Sequence, residues 1–384
     1  MTHEHDAVVV GGGIAGANCA LQLARAGMTD VLVLESEGPA SKASGRAAGN
    51  LTTYRHERFG AAASRLGREL YEELAATNDD LALHRERSYS VAYTDEGADS
   101  LREEADSTTL DTELLTAEEL AERETAFATG EVTAALRMRD AVYTDPKRLT
   151  LAVHAAAREA GVELAIETVR NLGPGDGDER ITVETDAGEY DAPVVIVAAG
   201  AWTGPLLQRA GTDVALQPRT SQIAILDPPE PMDVPIWSAP DFSVYGRPTP
   251  EGRVLFGGGT STHIGDLDRF RTRALIPFLG QVAERAPYVM PALERATLHD
   301  DWAGRVSATP DRHPHVGETD VDGLYVCAGF NGEGISNSPF AARLLADLVL
   351  DRDPIVDPST FDPMRYPGDE TFEIGNAVEW WDDR

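Results

Sequence analysis

Six residues near the N-terminus, Gly11-Gly12-Gly13-Ile14-Ala15-Gly16, have types and spacing suited to binding phosphate. In a G-x-G-x-x-G pattern the glycines let backbone N–H groups approach a pyrophosphate at the positive end of a helix. Glu35 follows 19 residues after Gly16 and is placed to accept hydrogen bonds from an adenosine ribose. Together these residues predict a dinucleotide-binding site.

The segments around this motif have the periodicity that such a site needs. Ala7 to Val10 reads as a buried parallel strand, and the following ANCALQLARAG places apolar residues at helical spacing. Gly27 is placed to end that helix, and Val31 to Leu34 reads as a second strand that leads into Glu35. The motif therefore lies at a strand-to-helix turn.

Later segments predict further elements and a second glycine-rich junction. Asp145 and Pro146 are typical of a helix N-terminus, and residues 162–169 and 181–185 read as strands. The buried run 193–198 ends in the letters AAGAW. Near the C-terminus, GFNGEGISNSPF (329–340) lies between the apolar run LYVCA and a helix-like segment.

Composition limits the classes of function. The net charge is −32, and only Lys42 and Lys147 among the 33 basic residues are lysines, which leaves 33 − 2 = 31 arginines. This pattern is typical of proteins adapted to molar salt, where repulsion between surface charges is screened. It disfavours nucleic acid and anionic membranes as partners. The absence of a long apolar run predicts a cytoplasmic protein, and Cys19 and Cys327 are expected to be buried free thiols.

The order of these motifs resembles the D-amino-acid oxidase superfamily of FAD enzymes, over residues 6 to about 350. The resemblance implies an α/β fold with two interleaved parts. A Rossmann-like FAD-binding domain would comprise residues 1–85, 141–213 and 300–384. A substrate-binding domain with a mostly antiparallel sheet would comprise residues 86–140 and 214–299.

The resemblance also implies which residues contact FAD. Backbone donors at Gly332, Gly334 and Ile335, with the positive end of the final helix, would stabilise negative charge on the reduced flavin. Some relatives tether FAD through a histidine near Arg46 or a cysteine near Gly304, and neither residue type stands there, so noncovalent FAD is expected. The expected contacts are Gly11, Gly13, Ile14, Ala15, Gly16, Glu35, Ser36, Ser44, Arg46, Ala48, Gly49, Asn50, Val169, Ala199, Gly200, Trp202, Gly304, Asn331, Gly332, Glu333, Gly334 and Ile335.

Substrate binding asks for an arginine and a tyrosine hydroxyl to hold a carboxylate. Tyr245 and Arg247 are two apart and therefore share one face of a strand. The family usually reads W-x-G-L-R-P, whereas here Arg305 stands one place early and Val306 occupies the arginine position. Either a bulge restores Arg305 to the pocket, or Arg247 holds the carboxylate, or the substrate differs. His263 is a further candidate for the pocket.

The leading expectation is an enzyme that oxidises the C–N bond of a small amino acid, by hydride transfer to flavin N5. A D-amino acid, glycine or an N-methyl amino acid would fit, with oxygen or a quinone as electron acceptor. Two alternatives remain open. One is oxidation of a 2-hydroxy acid or glycerol 3-phosphate, and the other is a flavin-binding assembly or electron-transfer subunit without its own substrate. No metal site is expected, because His313 and His315, which flank Pro314, are two lone histidines without an adjacent carboxylate.

Overall fold

The computed structural model describes residues 2–51, 60–108, 110–175, 180–261, 267, 272–370 and 372–373. The helices of this part of the chain are α1 (Ile14–Arg25), α2 (Gly60–Thr77), α3 (Asp95–Ser107), α4 (Ala117–Arg123), α5 (Pro146–Glu159), α6 (Thr203–Arg209), α7 (Ile276–Val289) and α8 (Gly334–Val349). Its strands are β1 (Thr2–Glu4), β2 (Ala7–Val10), β3 (Val31–Glu35), β4 (Asn50–Leu51), β5 (His84–Ala92), β6 (Thr112–Leu115), β7 (Ala134–Tyr143), β8 (Glu163–Ile166), β9 (Val169–Pro174), β10 (Ile181–Thr185), β11 (Glu189–Ala192), β12 (Val194–Val197), β13 (Gln217–Asp227), β14 (Ile236–Ala239), β15 (Val244–Pro248), β16 (Val254–Ser261), β17 (Thr297–Ala308), β18 (His315–Glu318) and β19 (Leu324–Ala328).

A six-stranded sheet lies at the centre of the nucleotide-binding part. Its strand order is β18-β19-β12-β2-β3-β8, and all neighbours are parallel except β18 and β19. The carboxyl ends of β19, β12, β2 and β3 therefore lie side by side at one edge. In open parallel sheets, ligands bind at this edge.

Both faces of this sheet are buried, which explains its continuous apolar strands. Ala7 and Val9 pack in the core formed with α1, α2, α5 and α8, whereas Val8 and Val10 pack in a second core. That second core includes residues of the four-stranded sheet β1-β11-β10-β9 and of α6. Successive side chains of β2 thus point to opposite faces of the sheet. The sheet lies between a layer of helices on one side and the four-stranded sheet with α6 on the other.

The remaining strands form a nine-stranded sheet of order β17-β13-β16-β15-β14-β5-β7-β4, with β6 paired to β7. Its neighbours are antiparallel except β14 and β5. The helix α7 covers one part of it and contributes Phe278, Val282 and Ala286 to a separate core. The predicted α/β fold with an additional, mostly antiparallel sheet is confirmed.

The helices and strands predicted from the sequence agree with the structure to different degrees. The strand at Ala7–Val10 is as predicted, and α5 begins at Pro146 with the Asp145 carboxylate accepting from the Lys147 and Arg148 amides. The single strand predicted over 162–169 is wrong, because β8 ends at Ile166 and β9 begins at Val169 in another sheet. The division into two domains stays a prediction, and its boundary at residue 300 falls inside β17.

Candidate active site

The turn after β2 is shaped by close backbone approaches. Gly11 has a φ of +116°, and a Cβ there would lie 2.6 Å from the Ala198 carbonyl oxygen at the end of β12. A Cβ at Gly16 would lie 1.9 Å from the Gly11 carbonyl oxygen, so α1 can start this close to β2 only with glycine. The N-terminus of α1 therefore opens toward the carboxyl edge of the sheet.

Glu35 is fixed beside this turn. Its Oε2 accepts a 2.7 Å hydrogen bond from the Gly12 N–H, and its side chain is buried yet lines the cleft described below. On the other side, His154 Nε2 lies 3.0 Å from the Gly12 carbonyl oxygen. Burial lowers the pKa of His154, and its hydrogen bond to Gly12 partly opposes this shift.

The segment after β3 folds back over the turn. Ser44 Oγ accepts a 2.9 Å hydrogen bond from the Ile14 N–H, and the Arg46 carbonyl accepts one of 2.8 Å from Trp302 Nε1. A Cβ at Gly304 would lie 3.6 Å from the Arg46 Cβ. Arg46 and Gly304 thus face each other. These are the two positions near which some relatives were expected to tether FAD covalently, and neither residue can form such a bond.

The second glycine-rich junction is held rigidly between β19 and α8. Asn331 has a φ of 55°, and its Nδ2 donates to the Gly329 carbonyl at 2.7 Å and to Thr309 Oγ1 at 3.1 Å. The α8 start is anchored by Tyr71, whose hydroxyl donates to the Ile335 carbonyl at 2.7 Å. Burial raises the pKa of Tyr71, so it remains a donor. These contacts aim the N-terminus of α8 toward the same edge as that of α1.

All of these segments line one cleft of about 870 Å³. That volume is near the upper end of the ~300–1,000 Å³ that ligand sites occupy. The expected FAD contacts that line it are Gly11, Gly13, Ile14, Ala15, Glu35, Ser36, Ser44, Arg46, Ala48, Gly49, Asn50, Val169, Ala199, Gly200, Trp202, Gly304, Asn331, Gly332, Glu333, Gly334 and Ile335. Gly16 lies behind this surface, where it packs α1 on β2.

The structure brings only some of the predicted substrate-binding residues to the cleft. Tyr245 and Arg305 line the cleft, and the Tyr245 ring lies across β16, where a Cβ at Gly257 would be 2.3 Å from its Cζ. Arg247 is absent from the lining, and its Nε donates to the Ala48 carbonyl and its Nη1 to the Pro248 carbonyl, both at 2.7 Å. His263 lies outside the described residues.

Arg305 reaches the cleft without the bulge that the sequence suggested. The β13–β17 ladder pairs Arg305 with Thr220 and Val306 with Arg219 in unbroken register, and its irregularity lies farther along, at Ile225 and Leu226. The cleft wall includes four consecutive β17 residues, 304–307. Position 305 is thus at the cleft although its strand face differs from that of 306.

The sequence analysis missed several cationic residues of the cleft, among them two near the second glycine-rich junction. Arg219 and Arg312 both line the cleft, and Arg312 lies 4.0 Å from Glu333 Oε1. Arg219 is preceded by Pro218 and lies in a strand whose pattern did not distinguish it from a surface arginine. Arg219 is recognised as a cleft residue only from its pairing with position 306. That pairing follows from the register of the two strands and cannot be read from the local sequence.

The residues present fit FAD. Glycine turns at the starts of α1 and α8 expose backbone donors to one cleft, a buried carboxylate lies at the end of β3, and the cleft continues beyond the nucleotide cradle to Tyr245. The chain matches the family described as "DAO: FAD dependent oxidoreductase" over residues 6–348. The chain belongs to this family.

The relatives of this DAO-family chain include amine and amino-acid oxidases. It is 31% identical over 376 residues to 4-methylaminobutanoate oxidase (formaldehyde-forming) of Paenarthrobacter nicotinovorans, covering 94% of this chain and 45% of that protein. It is 27% identical to glycine oxidase of Bacillus subtilis, covering 92% and 95% respectively. The chain thus spans about half the length of the first relative and nearly all of the second.

Solved structures agree with this family. The crystal structure of glycine oxidase from Geobacillus kaustophilus superposes with a TM-score of 0.86 at 26% identity, covering 96% of this chain and all of that one. L-proline dehydrogenase from P. horikoshii, at 24% identity and a TM-score of 0.85, shares the fold. The expected cofactor, noncovalent FAD, is confirmed. None of the described helices is both long and apolar enough to cross a membrane.

Proposed function

We propose that this chain uses FAD to oxidise the C–N bond of a small amino acid, such as glycine, a D-amino acid or an N-methyl amino acid. The observation that carries the proposal is the composition of the cleft beyond the flavin cradle. There Tyr245 lies with three arginines, Arg219, Arg305 and Arg312, in a wall continuous with the α8 junction. Cationic groups with a tyrosine hydroxyl suit a small carboxylate-bearing substrate.

Similarity to known proteins supports the same chemistry. The names of the relatives include glycine oxidase, dimethylglycine dehydrogenase and 4-methylaminobutanoate oxidase (formaldehyde-forming). Each of these acts on a small amine or amino acid by its name. One solved structure that this chain covers completely is also a glycine oxidase.

The residues of this chain would bind and orient the substrate rather than exchange its protons. FAD bound in the cleft would accept a hydride from the carbon next to the nitrogen. Hydride transfer needs a neutral amine and a fixed Cα–H direction, but no general base. Consistent with this, no histidine of the described residues lines the cleft. Water then hydrolyses the imine product to release ammonia or an amine.

An anaerobic spectral titration tests this function. The purified protein, in molar salt, would be titrated with glycine, sarcosine, D-amino acids and 2-hydroxy acids while the oxidised flavin band is followed. We expect bleaching by an amino acid, with ammonia or methylamine in the product. Bleaching only by a hydroxy acid, with a ketone product, would contradict the proposal, as would a flavin that no compound reduces.

The electron acceptor needs a separate experiment. We propose oxygen or a quinone, and the rate of reoxidation of the reduced protein by each distinguishes an oxidase from a dehydrogenase. A cytoplasmic location and a requirement for molar salt also remain predictions.

A further inference from the structure

Arg219 is placed on the cleft side of the nine-stranded sheet. It pairs with Val306 across the β13–β17 ladder, so the two side chains share a face. Ser221 and Ile223 follow at alternate positions of β13 and also line the cleft. On this face of the ladder, the charge is therefore carried by Arg219 on β13 and its partner on β17 is the apolar Val306.

The Arg219 guanidinium is buried with little to neutralise it. The residue is 9% exposed, and its Nη2 donates to the Asn331 carbonyl. Its Nε is buried without a hydrogen-bond partner, and no ion pair joins it to a carboxylate of the described residues. A buried guanidinium left in this state is costly unless an anion completes its hydrogen bonds.

The surrounding charges favour an anion at this point. Burial first, and the positive charge of Arg312 second, lower the pKa of Arg219 to about 10, while Glu333 and Tyr245 oppose the shift. Arg312 and Glu333 lie within 4.0 Å of each other and largely offset one another. At neutral pH, Arg219 therefore remains charged, and it supplies the net positive charge of the group formed by Arg219, Arg312 and Glu333.

The Arg219 guanidinium lies beside the second glycine-rich junction, where the flavin ring is expected. A Cβ at Gly332 would lie 3.5 Å from Arg219 Nη2, which places the cation at the start of α8. The Asn331 carbonyl holds the guanidinium there by accepting a hydrogen bond from Nη2. The Nε–H is buried without a hydrogen-bond partner and is therefore available to a ligand.

We propose that Arg219 is the residue that binds the substrate carboxylate, with the hydroxyl of Tyr245 beside it. This inference rests on the proposed function, because it names the group that the amino acid presents to the cleft. It assigns the clamp to β13, and neither Arg247 nor Arg305, the two candidates from the sequence, takes that role. Arg247 is held by the Ala48 and Pro248 carbonyls. Arg305 also lines the cleft, but it alternates to the other face of the ladder from Arg219, opposite Thr220.

The test measures carboxylate binding separately from turnover. Acetate, with acetamide as its neutral counterpart, would be titrated into the FAD-loaded protein at constant ionic strength, and Kd read from the change in the flavin spectrum. We expect the wild-type protein to bind acetate and to bind acetamide much more weakly. Arg219→Met should weaken acetate by at least about tenfold and leave acetamide within about twofold. Arg219→Lys should lie between them.

Arg305→Met is the matched variant, because it removes the same charge from the facing strand of the same wall. It should weaken acetate far less than Arg219→Met does. A larger loss in Arg305→Met than in Arg219→Met would overturn the proposal. So would an unchanged acetate Kd in Arg219→Met with an altered flavin spectrum in the absence of ligand, since Arg219 would then serve the cofactor.

Failure of this inference is distinguishable from failure of the proposed function. If an amino acid bleaches the flavin and Arg219→Met leaves its KM and the acetate Kd unchanged, only the assignment of Arg219 is wrong. If acetate binding depends on Arg219 but no amino acid bleaches the flavin, the anion site stands and the amino-acid reaction is wrong.

Discussion

Arg219 and Val306 face each other across the β13–β17 ladder, on the strand face that lines the cleft. The resemblance led us to expect an arginine at position 306, where this chain has valine with Arg219 as its ladder partner. Partners in an antiparallel ladder lie ~4.5–5.5 Å apart at Cβ, which a long side chain can span. Arg219 can therefore present a charge at this place in the cleft although it precedes position 306 by 87 residues.

Replacing Gly16 should disrupt the nucleotide cradle. A Cβ at Gly16 would overlap the Gly11 carbonyl oxygen at 1.9 Å, so Gly16→Ala should destabilise the protein by about 2 kcal/mol or more and reduce bound FAD. The measurements are urea unfolding and the ratio of flavin to protein absorbance. Gly280→Ala in α7 is the control, because a Cβ there meets nothing within 4 Å and helix propensity favours alanine. Equal behaviour of the two variants would contradict the close-packing argument.

Glu35→Gln should weaken FAD without unfolding the protein. The carboxylate accepts a 2.7 Å hydrogen bond from Gly12 and lines the cleft, and a charged acceptor contributes about 1.5–3 kcal/mol. We expect Kd for FAD to rise about 10- to 100-fold when the apoprotein is titrated and flavin fluorescence is followed. Glu163→Gln, at an exposed position of the adjacent strand β8, should leave that Kd unchanged.

Arg247 is expected to affect the cofactor more than the substrate. Its Nε holds the Ala48 carbonyl, and its guanidinium carbon lies 4.5 Å from the Tyr143 ring centroid, so it secures the segment that lines the flavin cleft. Arg247→Met should raise Kd for FAD by about fivefold or more and change KM for the amino acid by less than about twofold. Arg253→Met, at the position just before the neighbouring strand β16 and outside the cleft lining, is the control. A large rise in KM with unchanged FAD affinity would instead support a carboxylate clamp at Arg247.

Acid should destabilise the protein through His315. Burial first, and Arg365 second, lower its pKa from 6.5 to about 4 in the folded state. The unfolded chain therefore binds this proton at a higher pH than the folded chain does, and stability is lost as pH falls from about 6.5 to about 4. The loss reaches at most about 3 kcal/mol.

Urea unfolding at pH 7.5 and 5.0 measures this slope. His315→Gln removes the titrating group and should flatten the slope, although the lowered pKa of His154 keeps part of it. His299→Gln, at an exposed position of β17, should keep the full slope. A slope that His315→Gln leaves unchanged would assign the acid sensitivity to other groups.

The sequence by itself determined the dinucleotide cradle and the family. Gly11, Gly16 and Glu35 act within one strand-turn-helix-strand unit, where spacing along the chain fixes spacing in three dimensions. The same holds for the helix that begins at Pro146 and for the junction at Gly332, whose local letters are sufficient to predict a turn followed by a helix.

Only the tertiary structure decided which arginine faces the substrate end of the cleft. Arg247 and Arg305 had suitable neighbours in sequence, but strand pairing turned the first toward the Ala48 carbonyl and placed the second opposite Thr220. Arg219 had no local signal, because its role follows from register with β17 and from its contact with Asn331, 112 residues away. Register depends on the pairing of whole strands, and a shift of one residue would reverse every face.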